Sequence, residues 1–174
     1  MDRKRGKCGF SLVELIIVIV IIGVLAAIAI PRVSQGSRGA GESALVANLA
    51  ILRNALELYA SEHDSVYPGK NGDGTNPAGA DALVTQLTKY SNSSGAVVDV
   101  RDAAHPYGPY LRKGIPPLPL GANKGNGTVL IDNVNSPPNV SEGTGEGWVF
   151  NANTGDIIAN TTATDDSGKA YSEY

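Results

Sequence analysis

The 21 residues from Phe10 to Ile30, FSLVELIIVIVIIGVLAAIAI, carry one charge, Glu14, and nothing else in the chain limits its fold as tightly. As an α-helix the run spans about 31 Å, one hydrocarbon thickness. Branched Ile and Val do not oppose that helix, because lipid leaves backbone groups no other partner. Arg3, Lys4, Arg5 and Lys7 precede the run, which predicts a single-pass segment with a cytoplasmic N-terminus.

Glu14 is the anomaly, since a charge at the centre of a span costs about 2.5–3.5 kcal/mol on insertion scales. A discarded secretory signal peptide accounts for the basic start and for small Ala27 and Ala29 at A-x-A spacing, but not for Glu14 or for Pro31 just past the cut. A plain membrane anchor accounts for the length and leaves Glu14 without a role. A cut after Gly9 gives Glu14 a role. Phe10 becomes a terminal amine, and Glu14 lies four residues on, one turn away on the same helix face. The amine of its own or a neighbouring chain then neutralises the carboxylate in a low-dielectric setting. Glu14 becomes a register device for stacking identical helices.

At these residues the chain resembles the type IV pilins and type II secretion pseudopilins. GFSLVELIIVIVIIGVLAAIAIP looks like their class III leader and N-terminal helix, with Gly9 at the cleavage point, Phe10 first, Glu14 fifth, Gly23 fourteenth and Pro31 twenty-second in the mature chain. The resemblance implies that a prepilin peptidase/methyltransferase cuts between Gly9 and Phe10 and N-methylates Phe10, so that both are substrate residues. It also implies an inner-membrane protein with a periplasmic head, later part of a periplasmic pseudopilus or a cell-surface pilus. The implied partners are lipid, further copies of the chain, other pseudopilins and an inner-membrane assembly platform.

The predicted organisation is a leader at 1–9, a transmembrane and assembly helix at 10–31, a hinge and amphipathic helix at 32–64, and a head at 65–174. After Pro31, RVSQGSRGAG places glycines at 36, 39 and 41, each costing about 1 kcal/mol in a helix relative to Ala. Either a locally unwound hinge or an ordinary helix fits this stretch. Gly23 and Pro31 are further kink candidates. Leu45, Leu49, Leu52, Leu56 and Tyr59 then recur at steps of 4, 3, 4 and 3, an apolar stripe for packing on a head. Pro68 and Gly69 close that helix. Asp81 is placed to cap a short helix, ALVTQLTKY. AVVDV, TVLID, GWVFN and GDIIAN read as strands, the last two as a hairpin with Trp148 and Phe150 on the face towards the helix. YGPYLRKGIPPLPLG holds too many prolines for an interior strand and is expected to wrap the surface. The fold class is α+β: a long N-terminal helix packed on a small antiparallel sheet, pilin-like.

LAILRNALELYASEHDSVYPG, ADALVTQL and GPYLRKGIPPLPLG are similar in order and spacing to the major pseudopilin of type II secretion. The Asp-Pro-Trp-Gly usual after that passage is here PPLPLGANKG, and the family's acidic calcium loop has only Asp165 and Asp166 as counterparts. No cofactor is expected beyond a structural calcium there. GKNGDGTNPAG departs from the EF-hand pattern, with Gly69 at the first ligand position and Ala80 at the twelfth.

Net charge is −3, but residues 1–9 carry +3 and the remainder −6, with no Lys or Arg from Gly125 to Gly168. A surface this acidic does not suit phosphate, and no nucleic-acid contact is expected. The single cysteine, Cys8, lies in the leader, so no disulfide or Cys-based metal site serves the head. His63 and His105 lack partners at metal spacing and are expected on the surface. No P-loop, nucleophile elbow or carboxylate pair is legible, so no enzyme is expected. The predicted function is a structural subunit of a type II secretion pseudopilus that polymerises through its N-terminal helix. A type IV pilus major or minor pilin, and an exported membrane-anchored binding module, are the alternatives.

Overall fold

Leucines at helical spacing organise the head. In the computed structural model, which describes residues 10–70 and 79–174 with the side chains of 29–35 outside that description, α1 runs from Leu12 to Glu62. It is followed by α2 (Gly79–Thr88), β1 (Tyr90–Ser91), β2 (Val97–Val98), β3 (Val129–Ile131), β4 (Trp148–Phe150) and β5 (Ile157–Ala159). The chain divides into two compact units, with the boundary between Ala40 and Gly41.

α1 is one uninterrupted α-helix through Gly36, Gly39 and Gly41, so the unwound alternative is not what this chain adopts. Propagating a helix adds a hydrogen bond for each residue fixed, whereas restarting one carries the nucleation cost again. Three glycines at about 1 kcal/mol each weaken the helix without breaking it. The division between the two units falls inside this glycine stretch.

Within residues 41–174, Leu45, Leu49, Leu52, Leu56 and Tyr59 are all buried, as the stripe predicts. They share a core with Leu83 and Leu87 of α2, Val129 of β3, Trp148 and Phe150 of β4, and Ile157 of β5. Asp81 lies in the first turn of α2 rather than ahead of it, because the helix already begins at Gly79. Its charge faces the positive end of the helix dipole instead of capping it.

β4 is the central strand of a three-stranded sheet ordered β3-β4-β5. β4 and β5 form the expected antiparallel hairpin, with Val149 opposite Ile158. β3, however, pairs with β4 in parallel, Leu130 opposite Val149, so the sheet is mixed. The long connection from Asp132 to Gly147 allows this, since parallel neighbours need a crossover of a dozen or more residues. Trp148, Val149 and Phe150 are all buried, so β4 is covered on both faces. At the hairpin turn, Gly155 sits at φ +81°, and a Cβ there would enter the Tyr67 ring. Only glycine meets both conditions. β1 and β2 make a separate antiparallel pair that Tyr90 and Ser91 complete.

The proline-rich passage contains no strand, as expected, but it does more than wrap the surface. Leu111 and Leu118 are buried in the core. The Trp148 indole N–H donates to the Pro116 carbonyl at 2.8 Å, and Asn48 Nδ2 donates to that of Pro117 at 3.1 Å. Prolines fix the path while their carbonyls remain free to accept.

Truncating Leu52 to Ala should therefore cost about 2–5 kcal/mol, whereas Ile51→Ala, at an exposed position, should stay within about 0.5 kcal/mol. Urea denaturation of the detergent-solubilised protein measures both, and comparable losses would contradict this assignment of faces.

Candidate functional site

From Leu12 to Ile28 the helix exposes large apolar side chains on every face, Val18, Ile19, Val20, Ile21 and Ile22 in succession among them. A helix apolar all round needs lipid or other helices to cover it. Among the described residues no helix is long and apolar enough to cross a membrane. The span expected to reach Ile30 runs into residues 29–35, whose side chains, that of Pro31 included, lie outside the described set. Gly9 and the rest of the leader lie outside the described residues as well.

The helix start explains how Glu14 is held before any cut. Ser11 precedes the first helical residue, and the Leu15 N–H donates to the Ser11 carbonyl at 3.1 Å. Glu14 Oε2 accepts the Ser11 backbone N–H at 3.5 Å, a long contact that forms the returning half of a capping box. The S-x-x-E spacing is a signal in the sequence that the charge-pair reading does not use. One turn of helix thus places the Glu14 carboxylate beside the Phe10–Ser11 backbone. It is the only acidic side chain in the run from Phe10 to Ile30.

Gly23, Gly36 and Gly39 have nothing within 4 Å of an added Cβ, and Gly41 would make only ordinary contact with Leu120. The fold of this chain therefore does not demand the first three glycines. Each lowers helix stability relative to Ala, by the amount already given, although an added Cβ would have room.

In the head, His63 is not on the surface but 2% exposed. It stacks on Tyr59 with ring centroids 3.8 Å apart. Its Nδ1 lies 2.8 Å from the Tyr59 carbonyl and its Nε2 3.0 Å from Ser91 Oγ. A carbonyl only accepts, so Nδ1 carries the proton. The ring ties the end of α1 to β1, and both nitrogens are satisfied without a ligand. Sequence spacing missed this because Ser91 is 28 residues away. His105 is partly covered and pairs through Nδ1 with Asp102 at 2.7 Å. Burial pushes the Tyr59 hydroxyl up to about 12. Tyr110 is raised further, first by burial and then by donating to Glu62.

Asp165, one of the two calcium candidates, is held within its own turn. Asp165 Oδ1 already accepts from the Ser167 N–H, the Ser167 hydroxyl and the Lys169 N–H, and Oδ2 accepts from the Tyr174 hydroxyl. The Ser167 hydroxyl, then that of Tyr174, holds the Asp165 carboxyl well below the usual carboxylate range. Calcium needs six to eight oxygens. Among the described residues no three of His, Cys, Asp and Glu come together to hold a metal. Asp165 closes a tight turn between Thr164 and Ala170, which pair across it. Asp132 plays the same part in the β3–β4 crossover. The Asn139 backbone N–H, then the Asn135 side chain, lowers it to about 2.

Comparison with known proteins bears on the N-terminus first. Residues 4–30 match the model of the prokaryotic N-terminal methylation motif. The chain is also 35% identical over 88 residues to the type II secretion system core protein G of Vibrio cholerae serotype O1, covering 51% of this chain and 56% of that protein. It is 35% identical over 86 residues to the protein of the same name from Aeromonas hydrophila, covering 49% of this chain and 55% of that one. The chain thus spans about half the length of the curated relatives it matches. No solved structure matches it.

Acid stability follows from the carboxylate turns. Asp132 has a folded pKa of about 2, below its ordinary 3.8, so the charged form favours the fold. That contribution is complete above the ordinary value and is lost as pH falls through about 2. Asp132→Asn should flatten the stability profile between those limits while leaving it unchanged in shape near neutrality. Thermal melts across that range check this, and an unaltered acid slope would contradict it.

Proposed function

We propose that this chain is a structural subunit of a type II secretion pseudopilus. A prepilin peptidase removes residues 1–9, Phe10 is N-methylated, and the helix from Phe10 waits in the inner membrane with the head in the periplasm. Subunits then polymerise through these helices. The work is mechanical, with the energy supplied by another protein, and the chain performs no chemistry of its own.

The observation that carries this reading is the match of residues 4–30 to a methylation motif, on a helix whose described apolar surface is bare on every side. Lipid covers such a surface while the subunit waits, and neighbouring helices cover it after assembly. Glycines at 23 and 36, with open space beside their backbone, support the second state, because small residues let helix backbones approach closely. The similarity to two proteins named type II secretion system core protein G favours the pseudopilus over a surface pilus.

Within this reading Glu14 changes partner. In the uncut chain it accepts the Ser11 N–H. After the cut it meets the methylated amine of Phe10, on its own or an adjacent subunit, and each charge neutralises the other out of water. For the head we assign Asp165 a turn-closing role rather than a calcium ligand's. Calcium and a chelator should then leave the melting temperature of the purified protein equal, and a rise with calcium would overturn that assignment.

Mass spectrometry of mature protein from cells with the processing enzyme should find N-methyl-Phe10 as the first residue. A start at Ile30, or intact precursor, would remove the pseudopilus from consideration. Glu14→Ala should leave the protein in the membrane fraction but sharply reduce its incorporation beside wild-type subunits. Normal incorporation would refute the charge-pair account.

A further inference from the structure

Two surfaces of the head, on opposite flanks of α1, have opposite charge. The first is a groove of about 510 Å³ lined by Ile51 of α1 and by Tyr110, Arg112, Lys113 and Ile115 of the proline-rich passage. Ile51 is 50% exposed and Leu58 is 52% exposed. Seven residues apart, they lie within about 20° on the helix and form an apolar ridge beside the groove. Arg112 and Lys113 are exposed at its rim and have no ion-pair partner among the described residues. No acidic residue lines this groove.

The second surface is a cleft lined by Arg53, Glu57, Asp156 and Glu173, together with Ile157 and Tyr174. Arg53 is already engaged by carbonyl oxygens, donating to Tyr174 at 3.0 Å and to Ile157 at 3.4 Å. The three carboxylates are opposed by no other cation lining the cleft. Arg53 and Glu57 lie about 200° and 240° round α1 from Ile51. The buried stripe of Leu52 and Leu56 occupies the arc between the two flanks.

We infer that the basic groove of one head receives the acidic flank of the next, so that the two surfaces form the head-to-head-neighbour contact between copies of this chain. The contact is heterologous. A two-fold arrangement would set Arg112 and Lys113 against their own copies, and like charges facing each other are strongly disfavoured. A heterologous contact leaves one unfilled surface of each kind at either end, and a chain of subunits continues from it unless the rotation closes a ring. The ridge of Ile51 and Leu58 supplies apolar burial at the contact, and the charges select orientation and partner. This rests on the assembly reading given above, and it names surfaces on the head, remote in sequence from the N-terminal helix.

The test uses full-length chains in a Cys8→Ser background, assembled in membranes and treated with a short bis-maleimide. Subunits carrying Lys113→Cys mixed with subunits carrying Glu173→Cys should give a crosslinked dimer, and neither variant alone should give one. A dimer from Lys113→Cys alone would overturn the inference in favour of a two-fold contact. Reversing the groove with Arg112→Glu and Lys113→Glu should lower the yield of filaments about tenfold, and adding Glu57→Lys and Glu173→Lys to the same chain should restore it. Filaments that form normally despite the reversed groove would overturn the head contact and leave the N-terminal assembly reading standing. No filaments from the unmodified chain would sink that reading, and the head contact with it.

Discussion

Along α1 the apolar surface changes kind, and the source of its cover decides the rest of the architecture. From Leu45 onwards the large apolar groups fall mainly on one stripe, and the chain covers that stripe itself with α2, the sheet and the buried leucines of the proline-rich passage. From Phe10 to Ile28 they face every direction, and no described residue covers them. Burial returns roughly 25 cal/mol per Å² of apolar area, so a helix with this much bare surface cannot rest in water. The head completes its own core, and the N-terminal segment depends on other molecules.

Charge refines that division. A carboxylate in the apolar run is tolerable only when hydrogen bonding or a counter-charge is within one turn. Ser11 provides the first in the uncut chain, and a cut beside Gly9 would provide the second. In the head, Asp132 and Asp165 show another use of the same group: each gathers backbone and side-chain donors and closes a loop that lacks regular structure. The acidic composition thus serves turn closure as well as surface charge.

Much of this was legible in the residue order where the physics is local. The 3-4 spacing of leucines predicts the buried stripe, and the strands GWVFN and GDIIAN joined by ANT predict the β4–β5 hairpin, because helix faces and tight turns involve near neighbours. Features joined over distance were not legible. His63 looks like a surface residue until Ser91 is brought to it, and β3 looks antiparallel until the crossover from Asp132 to Gly147 is folded. The glycines at 36, 39 and 41 mislead in another way. Propensity records their cost but not the cooperativity of the 51-residue helix that contains them. At the N-terminus the S-x-x-E pattern was available, and it lies within the residues that match the N-terminal methylation motif.

The Tyr171 hydroxyl donates to Glu42 at 2.7 Å, across 129 residues of chain, and the Arg53 guanidinium reaches the Tyr174 carbonyl across 121. These fastenings join the beginning of the head to residues 171–174, so neither can form until those residues have folded back onto α1. Contacts of such long separation form late and slow the search for the native state. The two bonds therefore act as a latch between the head's part of α1 and residues 171–174, closed only after the segments between them have folded back.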